Sequence, residues 1–222
     1  MFCQNCAKEL EPNAGVCSAC GVPVARAKTT PSEISDKAKV ASRSALTAFK
    51  LFATNPVGGL PSAFENLDSR GARDVGIIFS VIFALCVVVG TYMALPSWGK
   101  PNIQGILGLL ILGAIPPAAI AGVSALARKA LKSRGSFESD VFIAGAALLP
   151  IGFVVFLTGI LGMGNIEVVA ILAAFAGCYT ILMLYSGCTQ VSKITDAKAA
   201  AIVPVMLLLS AWLCKVVFAA ML

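Results

Sequence analysis

The chain of 222 residues contains no histidine. That removes the commonest general base and the commonest nitrogen ligand for metals. Charge is scarce too: Asp, Glu, Lys and Arg together make 13% of the residues, about half the share of a soluble domain. No Ser/Lys or paired-Asp constellation and no Walker lysine motif stands out, so protease and nucleotide-hydrolase chemistry have no visible basis. The first 70 residues lack a basic start, an apolar run and a small-residue cleavage site. No secretory signal peptide is therefore expected, and the N-terminus is expected in the cytoplasm, where thiols stay reduced. What is abundant is apolar: 58% of the residues are hydrophobic and the mean hydropathy is +0.89. This is a membrane protein's balance. The excess of 17 Lys and Arg over 11 Asp and Glu is then explained by anionic lipid and by cytoplasmic loops, and nucleic acid is not an expected partner.

The chain is organised around Val75–Leu95, which is 21 residues long and uncharged. At about 1.5 Å per residue such a helix spans roughly 30 Å, the hydrocarbon thickness of a bilayer. Four similar stretches follow, at about 103–127, 141–161, 168–186 and 199–222. The expected fold is an all-α multi-pass bundle of five transmembrane helices over 75–222. Arg70 and Arg73 precede the first span, and Lys100 is the one basic residue between the first and second. Arg128, Lys129, Lys132 and Arg134 follow the second span, no basic residue follows the third, and Lys193 and Lys198 follow the fourth. This alternation predicts a cytoplasmic N-terminus and an outside C-terminus in the cell (inner) membrane, with Tyr92 and Trp98 at the outer interface.

Within the spans, Gly105, Gly108, Gly113, Gly122, Gly145, Gly152, Gly159 and Gly177 are expected to let helices approach closely. Pro116-Pro117 is expected to kink or break the second span, with a re-entrant hairpin as the alternative. The interiors of spans one to four hold no ionisable residue. Glu167 stands at an outer end, and Lys215 can snorkel outward. Cys86, Cys178, Cys188 and Cys214 read as small packing residues.

Residues 1–24 carry a different signal. Cys3 and Cys6 form one CxxC, Cys17 and Cys20 a second. Two facing CxxC turns supply four thiolates in tetrahedral array, which suits structural Zn2+, one ion per chain. Two disulfides or a redox-active CxxC are the alternatives. So short a segment has no adequate core, and the metal would supply most of its folding free energy. Pro12, Asn13 and Gly15 form the tip, Gly21 suits a knuckle turn, and Leu10 and Val16 are placed to cover the ion. The segment resembles the short N-terminal zinc ribbon of many prokaryotic membrane proteins, departing from it at Ala7, where that family usually has Gly. The resemblance implies β-knuckles around a closed metal site.

Residues 25–74 are expected to form a linker and basic amphipathic helices. From Ser32 to Thr54 the apolar residues Ile34, Ala38, Ala41, Ala45, Phe49 and Phe52 recur every three or four positions. Lys37, Lys39, Arg43 and Lys50 lie off that face, and Asn55-Pro56 ends it. Such a helix either lies on the lipid interface, meeting anionic headgroups, or packs on the bundle. Gly58-Gly59 is expected to be a flexible entry to a second short amphipathic segment carrying Phe64 and Leu67.

The stretch with Phe49, Phe52, Asn55 and Pro56, followed by five spans, resembles the Yip family of five-span membrane proteins over about residues 45–222. The acidic DLYGP-type motif of the eukaryotic members is absent, so their GTPase binding does not carry over. The resemblance implies a non-enzymatic anchor or organiser, with no catalytic residue and no bound organic cofactor. The ribbon is then expected to dock an unknown protein partner, and the bundle to contact membrane lipids. A small transporter or channel component is the alternative function, and the chain is open to oligomer formation.

Purified, reduced protein is expected to carry one zinc per chain, and Cys17→Ser to abolish it while the spans stay inserted. Metal analysis checks this, and a metal-free wild-type protein would refute it.

Overall fold

Five long helices carry the fold of this computed structural model, which describes residues 6, 8, 19, 20, 31–96, 99–162 and 166–221. Two shorter ones precede the spans. α1 is Pro31–Thr54 and α2 is Gly59–Glu65. The spans are α3 (Ser69–Ala94), α4 (Ile103–Ala130), α5 (Phe137–Leu161), α6 (Ile166–Ser186) and α7 (Asp196–Met221). A π-helical turn, Gly187–Val191, extends α6. Among the described residues there is no strand. The chain divides within α1: Val40–Leu222 is one compact unit, and the β-knuckles expected in 1–24 lie almost wholly outside the described residues.

Three of the spans begin at a capping side chain. Asp68 caps α3 by accepting from the Gly71 N–H at 3.0 Å, and Asn102 caps α4 by accepting from the Gly105 N–H at 2.9 Å. Ser136 and Ser139 form a reciprocal capping box at the start of α5. α4 ends in a Schellman turn: Ser133 N–H donates to Arg128 O and Lys132 N–H to Lys129 O, with Lys132 left-handed at φ 51°.

α5 is the central helix, packed on α3, α4 and α6, while α7 rests mainly on α4. The tightest pair is α3 with α5. Gly76 lies against Phe142 and Gly145, and Gly90 lies against Val155 and Gly159. Positions on both helices rise together, so the two run parallel. A Cβ on Gly145 would meet the Gly76 carbonyl oxygen at 2.2 Å, and one on Gly90 would meet the Val155 oxygen at 2.3 Å. Between these contacts Phe83 lies over Gly152. Gly76, Phe83 and Gly90 stand seven apart, as do Gly145, Gly152 and Gly159. A seven-residue repeat keeps one seam of each helix facing the other. In lipid this close backbone approach replaces the hydrophobic drive that would pair helices in water.

Three sequence expectations are revised. α4 is one continuous helix through Pro116-Pro117, neither broken nor a hairpin. Pro116 has no N–H for Leu112 O, but the Cys214 thiol of α7 stands 4.0 Å from that carbonyl, a long and weak contact. Gly59 is not a flexible entry. It is buried, and a Cβ there would meet Leu51 O at 2.2 Å, so glycine is required by the close return of the chain. Gly122 and Gly177, expected to mediate packing, have open space where a Cβ would stand.

Gly145→Ala and Gly159→Ala are expected to destabilise the bundle by about 1–3 kcal/mol or more through overpacking. Gly177→Ala is expected to be neutral or slightly stabilising. Thermal unfolding in detergent checks this, and equal midpoints for the three variants would contradict the seam.

Candidate functional site: an apolar groove and a buried ion pair

Apolar positions on α1 turn one stripe inward. Ala45, Ala48 and Phe52 are buried, and Phe52 meets the Phe79 ring of α3 edge-on at 5.5 Å. The 40–54 part of α1 thus packs on the bundle, one of the two outcomes open from the sequence. It also leaves Phe49 and Leu46 exposed. These two, with Ala53, look across a cavity of about 690 Å³. Ile78, Ile82 and Cys86 of α3 and Phe175 and Tyr179 of α6 form its sides, with Leu149, Pro150 and Phe153 of α5 between them. The volume is that of a small-molecule site, and the lining is almost wholly hydrocarbon.

Two prolines fasten this cover. Pro56 leaves Phe52 O without its helical donor, and the Tyr179 hydroxyl donates to that oxygen. Pro61 likewise frees Val57 O, and the Ser186 hydroxyl donates to it. Both donors stand on α6. The α1–α2 corner is therefore tied to the fourth span through carbonyls that proline has released.

Polar groups gather at the end of the bundle where α4 meets α5 and α6 meets α7. Asp140, in the first turn of α5, is fully buried. Its Oδ1 accepts from the Ser124 hydroxyl at 2.6 Å and its Oδ2 from Arg128 Nε at 3.1 Å, with Arg128 Nη2 in ion-pair contact with Oδ2 at 3.0 Å. Both guanidinium nitrogens meet the one oxygen, and in a buried pair each partner is costly to remove alone. The Ser133 hydroxyl donates to Ser192 O and Lys193 O, both at 2.9 Å, which ties the two basic loops together. Toward the other end of α3, Lys100 Nζ stands 4.8 Å from the Tyr92 ring centre. Trp98 lies outside the described residues.

Sequence reasoning missed the Arg128–Asp140 pair, because both residues were read as loop or flank. The helices run further than their apolar cores: α4 continues through Arg128, and α5 starts at Phe137. The spacing Ser124–Arg128, one helical turn apart, was the available signal. Cys188 is fully buried, Cys86 and Cys214 are half-buried, and Cys178 is exposed.

Of the four proposed metal ligands, Cys3 and Cys17 lie outside the described residues. Cys6 is exposed and Cys20 half-buried, and each stands in a turn. A donor set of four thiolates fits zinc. Among the described residues no group of three metal-ligating side chains occurs.

Tyr179→Phe is expected to cost about 1–3 kcal/mol, because Phe52 O would keep no donor. It should loosen α1 first. Limited proteolysis in detergent checks this: cleavage within 40–57 should accelerate while the spans stay intact, and unchanged cleavage would refute it.

Compared with family models, curated proteins and solved structures, the chain matches none.

Proposed function

We propose that this chain is a non-enzymatic integral membrane protein, an anchor of the Yip-like kind, with an N-terminal zinc ribbon that docks a protein partner in the cytoplasm. The observation carrying the reading is the sorting of charge on five apolar helices. Arg128, Lys129, Lys132 and Arg134 share one end with Lys193 and Lys198, and hydrogen bonds from Ser133 join the two loops. Arg70 and Arg73 lie at the start of α3, which runs parallel to α5, so they belong to that end as well. By the excess of positive charge on cytoplasmic loops, this end faces the cytoplasm of the cell membrane, and the C-terminus of α7 faces outward.

The interior favours an anchor over a conduit. The most extensively packed pair, α3 with α5, meets backbone to backbone, and the buried carboxylate is neutralised by Arg128 at one end. The transporter alternative drew its support from a helix broken at Pro116-Pro117, and α4 is continuous there. In the ribbon, Cys3, Cys6, Cys17 and Cys20 would hold the metal. A closed four-thiolate site supplies rigidity and leaves no position for substrate.

A periplasmic-type reporter fused after Leu222 is expected to be active, and one fused after Ser133 inactive. The reverse pattern would overturn the orientation. Cys17→Ser should release the docked partner from affinity-purified protein without altering membrane insertion. Retention of the same partner by the variant would overturn the docking role.

A further inference from the structure

We infer that the groove under α1 is a binding site for one acyl chain of an anionic glycerophospholipid from the leaflet at the basic end of the bundle. The inference rests on the proposed membrane placement and adds a ligand to it.

The depth fits one leaflet. On α3 the lining runs from Ile78 to Cys86, roughly 5–17 Å below Val75 at about 1.5 Å per residue. That is about the upper half of a hydrocarbon core roughly 30 Å thick. Phe52 meets Phe79 near the top of this interval. α1 therefore sits at the depth of an interfacial helix, about 5–10 Å into the headgroup and acyl boundary.

The chemistry selects hydrocarbon. Ser42 and Tyr179 contribute the two hydroxyls of the lining, and that of Tyr179 is already spent on Phe52 O. A water-soluble ligand would find few partners there and would lose its hydration. An acyl chain loses nothing on entry and gains contact with packed rings.

Charge complementarity selects the headgroup. At about 100° per residue, the α1 positions within 40–54 from the buried Phe52 outward on this side are Ala45, Phe49, Ser42, Ala53, Leu46, Lys50 and Arg43. The first five of that series line the groove, and the last two are exposed cations. Neither Arg43 nor Lys50 forms an ion pair among the described residues. A lipid with its chain in the groove would carry its phosphate past Leu46 to these two side chains. Within 40–54 the opposite flank, with Val40, Ser44, Thr47 and Leu51, carries no charge.

The test uses full-length protein in phosphatidylcholine vesicles, with brominated acyl chains as quenchers. Two single-tryptophan proteins are compared. One keeps Trp212, an exposed residue of α7, after Trp98→Phe. The other carries Phe49→Trp with Trp98→Phe and Trp212→Phe. For the Phe49→Trp probe, brominated phosphatidylglycerol is expected to reach half-quenching at about five- to thirtyfold lower mole fraction than brominated phosphatidylcholine, the preference given by one or two cations near an anionic surface. Adding Arg43→Gln and Lys50→Gln should make the two curves coincide. Adding Ala53→Phe, which fills the groove, should remove the saturable quenching by either lipid. Trp212 should show no preference. Coincident curves for the Phe49→Trp probe without further substitution, with Trp212 still quenched, would overturn the lipid site and leave the membrane reading standing. No quenching of Trp212 by either lipid would overturn both.

Discussion

In hydrocarbon no water is at hand to satisfy a backbone carbonyl, and this chain places prolines inside or beside its helices. Each such ring withdraws one N–H from the helical ladder. At three such carbonyls the architecture supplies a donor from another helix. Tyr179 serves Phe52 O, Ser186 serves Val57 O, and more weakly Cys214 serves Leu112 O. Two of these donors stand on α6, and both their acceptors belong to the α1–α2 corner. A span with little of its own surface buried thereby fixes the position of α1, and the walls of the groove follow from that.

The second constraint is the absence of a hydrophobic drive between helices that already sit in lipid. The seam of Gly76, Phe83 and Gly90 against Gly145, Gly152 and Gly159 meets it with close backbone contact. Spans one and three are thus direct neighbours, which leaves α4 to pack against both from one side and carry α7. The Arg128–Asp140 pair then locks α4 to α5 at the end where loops are short and charged. Polar interactions fasten the bundle's end while glycine contacts hold its length.

Much of this was legible before any coordinates. The five spans and the alternating loop charge follow from composition and period, which are local properties, whereas of the expected α1 stripe Ala45 and Phe52 are buried and Ala38 and Phe49 are exposed. The limits of the spans were less legible: Ser69–Ala94 starts six residues before the apolar run at Val75, because Asp68 caps the helix and charged residues continue it. The features that escaped depend on remote partners. Nothing near Pro116 signals that a thiol 102 residues away will approach the freed carbonyl. Gly145, Gly152 and Gly159 display their period openly, but the matching row on α3 contains Phe83 and so does not read as a glycine motif. Gly59 looked like freedom and is a close contact, a distinction that glycine alone never makes. The four-cysteine module is the converse case. Its spacing suits a metal ion, and Cys3 and Cys17 lie outside the described residues.

The parallel seam also sets an order of events during synthesis. α3 emerges with its glycine face bare, and its partner is not made until the whole of α4 has followed. In the interval that face has only lipid against it, or α4 at Gly113 and Ala84. When α5 arrives, a slide of one heptad would still set Gly76 against Gly152 but would leave Gly90 with nothing opposite. Phe83 would then fall at Gly159, near the end of α5, away from the central notch at Gly152. One aromatic tooth in a row of gaps thus makes the seam a ratchet with a single full engagement, so that two spans inserted at different times find the same alignment in every copy.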